Sequence, residues 1–283
     1  MQKLIDQAIN EVSRAVNNLN NYDAATMKTV VNGQTTITVE GTKLLTNIEN
    51  IAKIKKQLKE LLDAAKASDQ MPVLNLLVDI EFVPETKVAF NLPKNVVEKA
   101  IAAGLDGVKL AFGYAAVTIP FQGSTSEALS FNISMKSGKE ANLQSNLKLL
   151  SQVFDFTLNI GTAQVTEFEK PLTLEFPLNI VGDTTDKELI SVAKIIDGKL
   201  QFHGGVLSGT KIVEPRDTLS SYVVVENKVS FSDIDSVKGW AGRQIQVIAA
   251  KGIAEGKVEG KFSPNDAVTP RGVREDAHPC VEP

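Results

Sequence analysis

Cysteine is almost missing from this sequence: its 283 residues hold one, Cys280. A single thiol excludes an intrachain disulfide framework and any zinc site built on cysteine pairs. Histidine is equally scarce, and His203 and His278 share no ligand-like spacing. No metal and no cofactor are therefore expected. No apolar run approaches the ~20 residues of a membrane-spanning helix, so no membrane span is expected. Met1-Gln2-Lys3-Leu4-Ile5-Asp6 lacks the apolar stretch of a signal peptide, so an exported protein would have its true N-terminus upstream. Positive charge is not in excess either. Lys and Arg total 30 against 34 Asp and Glu, a net charge of −4, which argues against nucleic acid as a partner. Catalytic motifs are missing as well: no G-x-S-x-G, H-E-x-x-H, P-loop or G-x-G-x-x-G is present. With 34 acids present, counting alone does not exclude the carboxylate pair of glycoside hydrolysis, and Glu175 and Asp183, for example, lie near strand ends. Exposed acids are nevertheless mostly solvated, and His203 beside Gly204-Gly205 is most simply a turn residue. No catalytic residue is expected.

What is present is ordinary globular composition, 43% hydrophobic and 23% charged, in a chain long enough for two or three domains. The first part is helical in pattern. Ile5, Ile9, Val12, Val16 and Leu19 recur at helical spacing. A short strand, Thr36 to Val39, follows the Asn32-Gly33 turn signal. A second helix is predicted from Thr42 to Ala67, with Leu45, Ile48, Ile51, Leu58 and Leu62 on one face. Such stripes are usually core.

From Met71 the period shortens from 3.6 to 2. Strands are predicted at Val73 to Val83 and Thr86 to Phe90. Pro93 opens a short helix, Asn95 to Ala103, which Gly104 stops. Val108 to Phe112 and Tyr114 to Ile119 form a hairpin around Gly113. Alternation is clearest at Leu129, Phe131, Ile133 and Met135, and at Phe154, Phe156, Leu158 and Ile160. Further strands fall at 172–176, 191–196, 199–202 and 222–225. Mostly sequential strands separated by turn signals predict antiparallel, sandwich-like sheets. The pattern turns helical again at Asp235 to Lys251, with Val237, Trp240, Ala241, Ile245 and Ile248 on one face and Gly252 as the stop.

Around that last helix lie Phe231-Ser232-Asp233-Ile234, Trp240-Ala241, Gly252-Ile253, Gly256, Gly260, Phe262, Pro264-Asn265 and Val268-Thr269. Together they resemble the S-layer homology repeat, whose pattern is F-x-D, W-A, a helix, G-I, G, G-x-F-x-P and a closing I-T-R-A-E. Glycines permit tight left-handed turns, and Thr269 is placed to cap a second helix. Upstream, Phe90-Asn91-Leu92-Pro93 with its short helix, Val108 to Ile119, Leu172 to Leu178 and Leu219 to Val224 resemble the β-module that often precedes such repeats in Firmicute surface proteins. That likeness runs from Thr86 to Asp233.

Pattern and resemblance together predict a multi-domain α+β chain: a helical segment at 1–70, read from its periodicity, an antiparallel, sandwich-like, non-catalytic β-rich module at 71–228, and one S-layer homology repeat at 229–283. It implies an extracellular protein anchored non-covalently to the cell wall, with a pyruvylated secondary cell-wall polysaccharide as partner and other S-layer subunits as further partners. Trp240, Arg243 and Arg271 are the candidate polysaccharide contacts. An aromatic face suits a sugar's apolar side and a cation suits its carboxylate. For Trp240 a core anchor is the competing role, expected to pack against Ile245, Ile253 or Phe262, and for Arg243 a solvated helix position. Two other functions stay open: the non-catalytic stalk of a secreted glycoside hydrolase, and an adhesin-like carbohydrate-binding module.

After Thr269 the pattern breaks. The chain continues Pro270-Arg271-Gly272-Val273-Arg274-Glu275-Asp276-Ala277-His278-Pro279-Cys280 where the repeat closes with R-A-E-F and an amphipathic helix. Deleting one nucleotide from a permissible coding of this tail yields T-R-A-E-F-A-K-M-L-T-R-A-L-S. A shifted reading frame from residue 270 is therefore expected, with no chemistry assigned to His278 or Cys280 and with further repeats in the native frame.

Overall fold

The computed structural model describes residues 2–20, 28–80, 85–113, 115–121, 126–178, 184–256, 258 and 260–266. Among these are four α-helices and two mixed sheets, and the chain is mostly β. The helices are α1 (Gln2–Asn20), α2 (Thr42–Ala64), α3 (Lys94–Ala102) and α4 (Lys238–Ala250). The strands are β1 (Lys28–Val31), β2 (Gln34–Thr38), β3 (Asn75–Ile80), β4 (Lys87–Leu92), β5 (Gly107–Phe112), β6 (Ala115–Pro120), β7 (Leu129–Lys136) and β8 (Lys148–Leu149). They continue with β9 (Val153–Ile160), β10 (Ala163–Val165), β11 (Glu167–Pro177), β12 (Ile190–Ile196), β13 (Lys199–Gly204), β14 (Val206–Ser208), β15 (Lys211–Thr218) and β16 (Ser221–Glu226). No described helix is long and apolar enough to cross a membrane.

The chain divides into two compact units. The first comprises residues 1–134, 156–174 and 216–219, and the second 135–155, 175–215 and 220–283. These units cut across the three sequence segments predicted above.

In the first unit the apolar stripe of α1 packs on α2. Ile5, Leu58, Leu62 and Ala67 are buried together, with Ala8, Ile9 and Val12 against them. Asn47 Nδ2 donates to the Leu19 carbonyl at 2.6 Å and pins the two helices near one end. The α2 end is closed by Lys66 at φ 56°, while the amide of Ala67 donates to the Leu62 carbonyl at 2.8 Å. That left-handed closure is the one glycine usually supplies. Pro93 stands at the N-cap of α3, and Gly104, at φ +73°, lets the amide of Leu105 reach back to the Ala100 carbonyl.

Strand pairing corrects the antiparallel expectation. β1 and β2 form the antiparallel hairpin at Asn32-Gly33, but β2 pairs β4 in parallel, with Ile37 opposite Phe90. β3 pairs β5 in parallel, with Val78 opposite Leu110. Parallel neighbours need a crossover of a dozen or more residues, usually a helix. Here α2 lies between β2 and β4 in sequence, and α3 between β3 and β5. β4 with β7 and β5 with β6 pair antiparallel. Phe131 stacks on Phe156 at 5.8 Å and 22°, which puts the period-2 faces of β7 and β9 into one core.

The second unit is built around β16, whose residues Tyr222 to Glu226 are all buried. A strand covered on both faces reads as a continuous apolar run. Its neighbour β12 pairs it antiparallel, Ala193 opposite Val223, and β13 pairs the far side of β12. One face holds Val153, Ala193, Val223 and Val225. The other holds Phe154, Phe176 and Tyr222, with ring centroids 5.6 and 6.3 Å apart. His203 lies within β13 rather than in a turn, because the positive φ values begin only at Gly204 and Gly205.

Candidate functional site

The segment from Phe231 to Asp266 folds around α4. The apolar stripe Val237, Ala241, Ile245 repeats every four residues, so it stays on one face. That face closes a small core of Ile234, Val237 and Ile245, with Phe231, Ala241 and Phe262 against it. Phe231 and Phe262 meet at 5.3 Å and 57°, the tilted geometry aromatic pairs favour.

Asp233 organises the loop that follows. Its two oxygens accept the amides of Phe262, at 2.9 Å, and Ser263, at 2.8 Å. Those amide donors, Phe262 first, hold its carboxyl below the usual range. The Ser232 amide donates to the Gly260 carbonyl at 3.0 Å, and Lys261 pairs back with Val258 in a one-residue bridge. The motif glycines have separate reasons. A Cβ on Gly256 would stand 1.8 Å from the Lys261 carbonyl oxygen. Gly260 sits at φ +72° in open space, and Gly252 combines φ +69° with a Cβ position 2.3 Å from the Phe202 carbonyl oxygen. Pro264 lies half-buried in the loop.

The far end of α4 is fastened to the sheet of its own unit. Asn227 Nδ2 donates to the Ala250 carbonyl at 3.0 Å, and Lys251 Nζ donates to the carbonyls of Gly205 at 3.0 Å and Ile190 at 3.3 Å. These bonds satisfy carbonyls and place a cation at a helix C-terminus. Near the middle of the helix, Arg243 Nη2 donates to Asp186 Oδ1 at 2.6 Å, and its Nε to Glu188 Oε2 at 2.7 Å. Arg243 is thus already engaged by two carboxylates of the same unit, which sequence reasoning could not see because they lie more than fifty positions upstream.

Trp240 is 76% exposed in the first turn of α4. This corrects the expectation that it packs against Ile245, Ile253 or Phe262. One residue is 100° around a helix, and Trp240 lies that far off the Val237–Ala241–Ile245 stripe. The apolar contact of α4 with its small core follows that stripe. Of the remaining sequence candidates, Thr269 and Arg271 lie outside the described residues, as do His278, Cys280 and Asp183. Glu175 pairs with Lys211 at 3.4 Å. No group of three or more metal-ligating side chains gathers among the described residues.

Residues 230–269 match the S-layer homology domain family. The chain is therefore an S-layer homology domain-containing surface protein. Domains of this kind are non-catalytic and generally anchor proteins to the cell wall by binding its polysaccharide, so the match implies association with the cell surface. No curated protein shows significant similarity to the chain. Among solved structures, the full extracellular region of zebrafish Gpr126/Adgrg6 aligns with 78% of this chain at 10% identity and a TM-score of 0.26. The aligned part spans 31% of that structure, and a likeness this weak carries no argument.

Proposed function

We propose that this chain holds a surface protein on the cell wall by non-covalent binding of its S-layer homology domain to a pyruvylated secondary cell-wall polysaccharide. The observation that carries this reading is Trp240. A large indole left 76% exposed in a domain that generally anchors to wall polysaccharide suits stacking on the apolar face of a sugar ring. The upstream segment 71–228 serves as a non-catalytic spacer, with residues 1–70 as a helical segment before it. Other S-layer subunits are further partners.

The test is co-sedimentation of the full chain with purified cell-wall sacculi. The chain should pellet with intact sacculi and stay in solution with sacculi stripped of their secondary polysaccharide or its pyruvyl groups. Trp240→Ala should abolish pelleting while far-ultraviolet circular dichroism stays unchanged. Undiminished pelleting of that variant would move the binding surface elsewhere.

A further inference from the structure

The sequence offers Arg243 as a sugar-binding cation, but the structure uses it differently. Three residues after Trp240, its guanidinium forks onto Glu188 through Nε and Nη2 and reaches Asp186 through Nη2. Of the two carboxylates, that of Asp186 is itself held in place. Asp186 Oδ1 also accepts the amide of Glu188 at 3.2 Å, capping the short 3-10 turn Lys187–Leu189. The Asp186 amide donates to Glu226 Oε1 at 2.8 Å, and Glu226, itself buried at the end of β16, takes Lys228 at 3.0 Å and Lys148 at 3.8 Å. Lys148 in turn donates to Thr185 Oγ1 at 2.9 Å. One acceptor, the Asp186 carboxylate, is therefore fixed independently of Arg243, a condition under which a bidentate guanidinium adds direction as well as attraction.

We infer that Arg243 is a positioning residue: it clamps the N-terminal half of α4 to the turn at Asp186–Glu188 and so fixes the direction in which Trp240 is presented. The small core of Ile234, Val237 and Ile245 packs one face of α4, the face Trp240 does not share. Asn227 and Lys251 act at the opposite end, around Ala250. Arg243 is the fastening nearest the indole. The inference rests on Trp240 as the wall contact for its functional consequence, and on geometry alone for the clamp.

Two variants approach the clamp from its two sides, Arg243→Ala and the double variant Asp186→Asn with Glu188→Gln. The chain holds one tryptophan, so steady-state fluorescence anisotropy reads the freedom of Trp240 directly, without a ligand. Both variants should lower that anisotropy, and both should weaken pelleting with sacculi by roughly three- to tenfold, the scale of losing a partly exposed charge-assisted contact. The triple variant should be no worse than either. Arg243→Lys should restore part of the anisotropy, since an ammonium reaches one carboxylate but cannot fork. If Arg243 instead touches the polysaccharide, Arg243→Ala loses binding while the double variant keeps or improves it, and the inference is overturned. Unchanged anisotropy in both variants overturns it too. Lowered anisotropy with undiminished pelleting, in a chain whose Trp240→Ala variant also pellets, leaves the clamp standing and removes Trp240 as the wall contact.

Discussion

Three glycines of the S-layer homology domain have unequal reasons to be glycine, and this ranks their substitutions. At Gly260 only the left-handed φ resists a side chain, and the space is open, so Gly260→Ala should cost about 1 kcal/mol. At Gly256 a backbone carbonyl stands where a Cβ would be, and Gly256→Ala should cost about 1–3 kcal/mol by overpacking. Gly252 suffers both effects at once. Gly252→Ala should cost about 3 kcal/mol or more. Urea unfolding of the three variants checks the order, and equal losses would contradict it. Asp233 belongs to the same scale. Its acceptance of the Phe262 and Ser263 amides lowers its pKa, so its ionised form stabilises the loop above the unfolded-state value, and that contribution fades as pH falls through the lower folded-state value. Asp233→Asn should remove this acid-limb dependence.

At the scale of elements, α4 is held by ionised carboxylates as well as by its stripe. Hydrogen bonding from Arg243 draws Asp186 down. For Glu226 burial pushes upward, but the Asp186 amide, Lys228 and Lys148 outweigh it and leave the group below its ordinary value. Both shifts have the same sign, so folding of this unit binds fewer protons than its unfolded chain and loses stability toward acid. Tm should stay nearly flat at neutral pH and fall below about pH 4, as the pH approaches the lowered values of these carboxylates. The Asp186→Asn and Glu188→Gln double variant should show a shallower fall. In β7 the fold rests on apolar contact instead. Phe131 is fully buried and stacked on Phe156, and Phe131→Ala should cost about 3–5 kcal/mol with little change in this acid slope, as read by denaturant titration at two pH values.

At the scale of the whole molecule, the S-layer homology domain is part of a larger fold. Gly252 lies against the Phe202 carbonyl, Asn227 binds the Ala250 carbonyl of α4, and Lys251 binds the Gly205 carbonyl of the same unit. Its own core holds three buried apolar side chains. A segment of residues 229–269 alone should therefore lack a cooperative thermal transition, whereas residues 229–269 within the full chain should melt with the strands they dock on. Hydrogen exchange checks this directly: α4 amides should share the protection of β12 and β16. A sharp independent melt of the short segment would contradict the dependence.

The sequence by itself determined what local chemistry fixes. The stripes of α1, α2 and α4, the alternation at Leu129–Phe131–Ile133 and Phe154–Phe156–Leu158, Pro93 and Gly104 around α3, and the S-layer homology motif from Phe231 to Phe262 all act over a few residues, so their spacing carries the answer. Tertiary structure decided what depends on distant partners. Whether β2 runs parallel to β4 is set by the route α2 takes, which no period-2 pattern records. β15 stayed hidden because its inward face presents Ile212, Glu214 and Arg216, two of them charged, so alternation of polarity gives no signal there. The exposure of Trp240 and the occupation of Arg243 were not legible either. A position one residue off the stripe of α4 can face core or solvent, and an arginine's partner is named only when folding brings the turn at Asp186–Glu188 beside it.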